Sequence, residues 1–285
     1  MGNEPQKIAI LGAGTMGHGI AQLAAQSGFQ TIVYDPDPAA LERGLDRARQ
    51  GLETAVAKGK LTADQATDAA AHLTGAATLA AAVAEADLII EAGPEIPAVK
   101  IGILTAVLAA APARAIVASN TSSLSLTELA AATSQPERIV GMHFFNPPPV
   151  MKLVELVRAE QTSPSTMAQA RAFAERLGKQ VIEVRDSPGF ASSRLGIALA
   201  MEAIRMLEEG VASAEDIDRA MELGYNHPMG PLRLTDLVGL DVRLTIADHL
   251  NRELGGLRFQ PPQLLRRLVR AGKLGRKSGE GFYRY

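Results

Sequence analysis

The sequence contains no cysteine. That excludes a disulfide framework, a thiolate zinc site and a cysteine nucleophile, and it suits a reducing compartment. It also lacks an excess of either charge: 29 lysines and arginines stand against 31 acidic residues, a formal net charge of -2. Without a broad basic surface, nucleic acid and anionic membrane are not expected as partners, and an anionic ligand must be held locally. No run of about 18 unbroken apolar residues occurs, and Met1 to Lys7 have neither the basic start nor the apolar core of a signal peptide. A cytoplasmic protein is expected. There is no internal repeat at a fixed period and no low-complexity tract beyond an alanine bias.

What remains is an ordinary globular composition. With 285 residues, 47% of them hydrophobic, the chain can bury the core of one large or two modest domains. Lys7 to Leu11 is a short apolar run ending at glycine and Thr31 to Tyr34 is a second, with a helix-length segment from Thr15 to Ser27 between them. That is a strand, helix, strand unit. Further apolar runs at Asp87 to Glu91, Ala115 to Ser119, Ile139 to Met142, Leu153 to Val157 and Gln180 to Val184 alternate with helical stretches. The pattern predicts an α/β fold with a doubly wound, mostly parallel sheet. Pro38 to His72 is rich in alanine, charge and helix formers, and predicts a pair of inserted helices.

Asp186-Ser-Pro-Gly189 is turn chemistry, and the sequence behind it reads as helices broken by glycine and proline. A boundary near 187 follows: a first domain over 1-187 with its helical insertion near 38-72, and an all-helical second domain over 188-285. Ser213-Ala-Glu-Asp216 has the shape of a capping box. Arg194 to Glu209 is apolar over much of its circumference, as a buried central helix requires.

The strongest local signal is Gly12-Ala-Gly14-Thr15-Met16-Gly17, which follows a strand and opens a helix. Its glycines can make the tight turn, let backbone approach a pyrophosphate and allow close helix packing, while the helix N-terminus faces the phosphates. Asp35 ends the second strand near the spacing of about 20 residues at which a carboxylate meets the adenine ribose and repels a 2'-phosphate. The combination predicts a Rossmann-type domain that prefers NAD to NADP. His143 stands where a strand meets a proline-rich loop. A histidine so placed can serve as the base that accepts a hydroxyl proton during hydride transfer.

Ser119-Asn-Thr-Ser122-Ser-Leu, Gly141-Met-His143-Phe-Phe-Asn146-Pro and Val150-Met-Lys-Leu-Val-Glu155 closely resemble the signature segments of 3-hydroxyacyl-CoA and 3-hydroxybutyryl-CoA dehydrogenases. The resemblance extends through Asn226 to Pro231 and Gly239-Leu-Asp241 to the closing Gly275-Arg-Lys277-Ser-Gly-Glu-Gly-Phe-Tyr283. It implies NAD-dependent oxidation of a short L-3-hydroxyacyl-CoA and the reverse reaction. It further implies His143 as base, Glu155 as its orienting carboxylate, and Ser122 as a hydrogen-bond donor to the reacting oxygen and neighbour of the nicotinamide. Asn146, Glu95, Lys100 and Lys277 match further cofactor contacts, and Lys58 a basic residue near the CoA phosphates. Taken without the resemblance, Glu95, Lys100 and Lys277 read as surface charges. A homodimer through the second domain is implied as well.

One position departs from the pattern. After Ser187-Pro-Gly-Phe190 the family usually has two apolar residues and then Asn-Arg, whereas this chain has Ala191-Ser-Ser193-Arg194. Ser193 is shorter and lacks the amide, which bears on efficiency and acyl preference more than on reaction class. Two other readings fit the same two-domain plan: a hydroxy-acid or sugar-acid dehydrogenase that does not use CoA, and an inactive dinucleotide-binding protein.

Overall fold

In the computed structural model, which describes residues 7–285, the apolar runs assemble into one sheet. The first six residues, on which the expectation about a signal segment partly rests, lie outside the described part. The strands are β1 (Lys7–Leu11), β2 (Gln30–Tyr34), β3 (Leu73–Gly75), β4 (Leu88–Glu91), β5 (Ile116–Ser119), β6 (Ile139–Phe144), β7 (Leu153–Arg158) and β8 (Gln180–Arg185). Their order is β3-β2-β1-β4-β5-β6-β7-β8. Every pairing is parallel except β6 with β7, so the last two strands run against the other six. The chain reverses its direction of strand addition at β1, and ligands of such sheets bind beyond the carboxyl ends of the strands at that switch.

Helices cover both faces. Between the strands run α1 (Thr15–Gln26), α2 (Pro38–Ala57), α3 (Ala63–Ala71), α4 (Leu79–Val83), α5 (Pro97–Ala110), α6 (Leu126–Ala131) and α7 (Pro164–Arg176). Central strands buried on both sides explain the near-continuous hydrophobic runs of β4, β5 and β6. Ile8, Ile10, Leu88, Ile90, Ala118, Val140, Met142, Val154 and Leu156 share one core with α1, α2 and α7. Strand side chains alternate between faces, so His143, between Met142 and Phe144, and Glu155, between Val154 and Leu156, both turn away from that core.

Local chemistry sets the helix starts. Asp37 accepts the Ala39 amide with Pro38 in the first turn of α2, and Thr62 with Gln65 forms a capping box on α3. The segment 38–72 thus supplies the two inserted helices, and directly after it comes β3, which the sequence reading does not contain. Three residues after His72 are too few to show a period.

The chain divides between Asp186 and Ser187. The second unit holds α8 (Ser192–Glu208), α9 (Ala214–Gly224), α10 (Pro231–Val238), α11 (Leu240–Leu254) and α12 (Gln263–Arg270) around a core that includes Ile197, Met201, Ile204, Leu232, Leu240, Leu250 and Phe259. Ser193 lies in the first turn of α8, half-buried.

Two expectations are corrected here. Ser213 caps α9 by accepting the Asp216 amide, but its hydroxyl donates to the Asp216 carboxylate instead of completing a reciprocal box. Aspartate is one methylene shorter than the glutamate of that motif. Helix α8 is central to the unit, packed against α9, α10, α11 and α12, but it is not buried all round: Ile197, Ala200, Met201, Ala203 and Ile204 are buried, whereas Leu195 is 71% exposed.

Buried aspartates fasten the C-terminal segment. Gly230 has no side chain with which to cap α10, and Asp218 takes the Leu232 and Arg233 amides in its place. Asp236, fully buried, accepts the Phe282 and Tyr283 amides.

Candidate active site

The cofactor loop follows β1. The Gly12 amide donates to the Tyr34 carbonyl, and Gly12 adopts φ +102° with its α-carbon so near β4 that a Cβ would lie 2.7 Å from the Ala92 oxygen. A Cβ on Gly17 would lie 1.7 Å from the Gly12 oxygen, so α1 can start this close to β1 only with glycine there. Gly14, the N-cap of α1, is exposed and a Cβ on it would meet nothing within 4 Å. Backbone is therefore open where a pyrophosphate must approach, at the positive end of a 12-residue helix.

Thr15 and Met16 form the first turn of that helix. Asp35 stands at the carboxyl end of β2, its carboxylate accepting the Ala13 and Asp37 amides at 2.9 and 3.0 Å. A cavity of about 710 Å³ opens beside it, lined by Gly12, Gly14, Tyr34, Asp35, Ala92, Pro94, Val99 and Ile103 among others. Apolar walls with one carboxylate at the rim and open glycine backbone fit a dinucleotide such as NAD.

His143 and Glu155 meet across the antiparallel β6–β7 ladder. His143 is directly opposite Glu155, and His143 Nδ1 meets Glu155 Oε2 at 2.7 Å. Glu155 is fully buried and His143 is 7% exposed, with the Phe145 ring 4.7 Å from its own, centroid to centroid. The contact commits Nδ1 to the carboxylate, which fixes the orientation of the imidazole ring. The Phe144 amide donates to Asn120 Oδ1 at 2.9 Å, which ties this end of β6 to the loop after β5.

That loop carries Ser122. Glu95 holds it: its Oε1 accepts the Thr121 hydroxyl at 2.7 Å and the Ser122 and Ser123 amides at 2.9 and 3.1 Å, and the Ser122 hydroxyl is 3.4 Å away. Burial pulls the Glu95 carboxyl up, but the Thr121 hydroxyl, the Lys100 charge and the Ser122 amide outweigh it and hold it below the ordinary carboxylate range. Lys100 is not a surface charge. Only 1% exposed, it donates to both oxygens of fully buried Glu91 at 2.9 Å and stands 3.3 Å from Glu95. Glu91 also accepts the Ser119 hydroxyl at 2.7 Å and the Gly93 amide at 2.7 Å.

Sequence reading misses Glu91, Ser119 and Asn120. The available signal for the Glu91–Lys100 pair is that Glu91 ends an otherwise apolar strand, and that Lys100 is the sole charged residue of α5.

A second, smaller cleft of about 240 Å³ is lined by Thr15, His18, Asn146, Val150 and, at the C-cap of α2, Lys58. Asn146 and Lys58 are therefore brought together. Lys277 belongs to the helical unit, where it pairs with Asp241 at 2.6 Å and holds that carboxyl below its usual range.

The 3-hydroxyacyl-CoA dehydrogenase, NAD binding domain, profile matches residues 7–187, and the 3-hydroxyacyl-CoA dehydrogenase, C-terminal domain, profile matches residues 189–285. A probable 3-hydroxybutyryl-CoA dehydrogenase of Bacillus subtilis is 46% identical over 282 residues, covering 99% of this chain and 98% of that one. The 3-hydroxybutyryl-CoA dehydrogenase of Mycobacterium tuberculosis is 44% identical over 287 residues, covering 100% of both. The crystal structure of (S)-3-hydroxybutyryl-CoA dehydrogenase from Ralstonia eutropha superposes with a TM-score of 0.94 at 43% identity, covering 99% of each chain. With both profiles matched and these identities spanning its whole length, the chain belongs to the 3-hydroxyacyl-CoA dehydrogenase family.

Proposed function

We propose that this protein interconverts a short L-3-hydroxyacyl-CoA, such as 3-hydroxybutyryl-CoA, and the 3-ketoacyl-CoA. The observation that carries the reading is the 2.7 Å His143–Glu155 pair on the strand next to the Ser122 loop. Bound NAD supplies the hydride acceptor in the oxidative direction. His143 Nε2 takes the hydroxyl proton, and the buried Glu155 carboxylate stabilises the imidazolium that results. Ser122 donates a hydrogen bond to the substrate oxygen, from a turn that Glu95 and Lys100 keep in place. Lys58 meets the CoA phosphates at the mouth of the cleft it shares with Asn146, and Lys277 is a cofactor contact of the second unit. The decisive test follows NADH consumption with acetoacetyl-CoA, longer 3-ketoacyl thioesters and free keto acids. Turnover confined to the thioesters is expected, and none with any of them overturns the reading.

Asp35→Ala is expected to weaken NADH binding and narrow its advantage over NADPH, because the ribose acceptor and the charge that repels a 2'-phosphate leave together. An unchanged ratio of kcat/KM for the two cofactors reduces Asp35 to a turn residue. Ser193 is a tuning position on the substrate side, and Ser193→Asn is expected to change kcat/KM for acetoacetyl-CoA by up to roughly tenfold, since one hydrogen bond is worth about 1 kcal/mol. A Ser193→Ala variant as inactive as one lacking His143 removes that assignment.

We place the protein in the cytoplasm, in keeping with its lack of cysteine. We also assign it a homodimer through the helical unit, on which Leu195, Leu223 and Tyr225 are 71%, 79% and 75% exposed. Sedimentation equilibrium at the 30.0 kDa monomer mass overturns the dimer.

A further inference from the structure

The strands that carry His143 and Glu155 are joined by the loop 145–152, whose Pro147-Pro148-Pro149 stretch has no amide hydrogens to donate. The Pro147 carbonyl accepts the Val150 and Met151 amides, each at 3.0 Å. The carbonyls of Pro148 and Met151 find their donor outside the loop. Lys179 Nζ donates to both, at 2.6 and 2.8 Å.

Lys179 is 9% exposed, and among the described residues no carboxylate stands within ion-pair distance of it. A buried ammonium spent wholly on main-chain carbonyls is uncommon, because such charges are ordinarily paired. Its own backbone is fixed: Gly178 turns at φ +70° after α7, the Lys179 amide closes onto the Ala174 carbonyl, and Gln180 enters β8 by donating to the Lys152 carbonyl at 2.7 Å. On the other side the loop is wedged against α1, where a Cβ on Gly19 would come within 2.8 Å of the Pro148 ring. Asn146 and Val150 of this loop form one wall of the cleft that also holds Lys58.

We propose that Lys179 is a positioning residue for substrate binding: its ammonium clamps the Pro148 and Met151 carbonyls and so sets the wall of the cleft that receives the CoA portion of the thioester. The proposal rests on the acyl-CoA reading above. The ammonium touches neither reacting atoms nor the His143–Glu155 pair, which the β6–β7 ladder holds independently. Lys179 therefore acts on KM and not on proton transfer.

The test compares Lys179→Met and Lys179→Arg with the wild type in steady-state reduction of acetoacetyl-CoA. Lys179→Met is expected to raise KM for the thioester about tenfold with kcat within about threefold, the pattern of lost ground-state binding. The pH profile of kcat stays where it was. Lys179→Arg, whose guanidinium still offers donors to both carbonyls, recovers most of the KM. If Lys179→Met does not fold, Lys179→Gln carries the same comparison, its amide able to serve one carbonyl.

Deuterium uptake by the peptide spanning 145–152, measured without any ligand, is expected to rise in the Met or Gln variant. An unchanged KM in an active, folded variant overturns the proposal, even with a lowered Tm. A wild type inactive on every CoA thioester overturns the functional reading instead, and the deuterium uptake then still decides whether Lys179 holds the loop.

Discussion

Replacing His143 with alanine is expected to lower kcat for acetoacetyl-CoA reduction by about 100-fold or more while NADH affinity stays near the wild-type value, because a positioned general acid–base commonly supplies roughly 10² to 10⁴ in rate. The geometry makes the separation clean. His143 sits on β6 while the glycine loop and Asp35 belong to the ends of β1 and β2, so its loss leaves the dinucleotide cavity lining intact. The side chain is only 9% exposed, but it turns away from the main core, and truncation removes no member of that cluster. Glu155→Gln is expected to cost less, since Nε2 of His143 remains to exchange the proton while the charge that stabilises the imidazolium is gone. Stopped-flow and steady-state measurements with tryptophan-independent detection, such as NADH fluorescence, give both numbers. A His143→Ala variant that keeps more than half of wild-type turnover removes the histidine from the mechanism.

How much of this is legible in the sequence depends on the range of the interaction. The glycine loop and Asp35 are local signals: a strand, a tight turn and a helix start lie within a few residues of one another, and the turn tolerates few alternatives. The alternation that turns His143 and Glu155 away from the core is local as well. Their contact is not. They lie twelve positions apart with a proline loop in between, and only the reversal of β7 against β6 puts them opposite each other; a register slipped by one residue would turn Glu155 into the core. The sequence supplies the residue types and the family resemblance their pairing, but the register belongs to the fold.

Lys100 and Glu95 show a different limit. A charged residue at a helix start reads as solvated because most are, and the apolar run that Glu91 ends is the one nearby sign that it will be fully buried beneath Lys100. The same holds for Lys179, whose partners are main-chain carbonyls some 28 and 31 positions away. Side-chain identity carries no mark of such a contact. The boundary between the units is easier, because Asp186-Ser-Pro-Gly189 combines turn-forming residues with a change from alternating strand and helix to helix alone.

The largest stability effect is expected at Lys100. Lys100→Met removes the ammonium that contacts both oxygens of Glu91, a carboxylate with no exposure, and leaves that charge buried with only the Ser119 hydroxyl and Gly93 amide for support. Breaking one side of such a pair costs about 3–5 kcal/mol, far more than the pair contributes relative to apolar residues of the same shape. The cost is therefore expected to fall when the partner is neutralised too. In the Glu91→Leu/Lys100→Met double variant, urea unfolding should recover much of the lost stability, because no uncompensated charge remains. Activity should not recover with it. Glu95 still lacks the ammonium 3.3 Å away, and Glu95 is the acceptor that gathers Thr121, Ser122 and Ser123 into the turn presenting the Ser122 hydroxyl. The double variant should thus be stable yet reduced in kcat, whereas a purely structural pair would return both together. A single Lys100→Met variant that loses less than about 1 kcal/mol, the range of an exposed pair, shows that water or a shifted Glu91 relieves the charge, and the clamp on Ser122 then has to be ascribed to Glu95 alone.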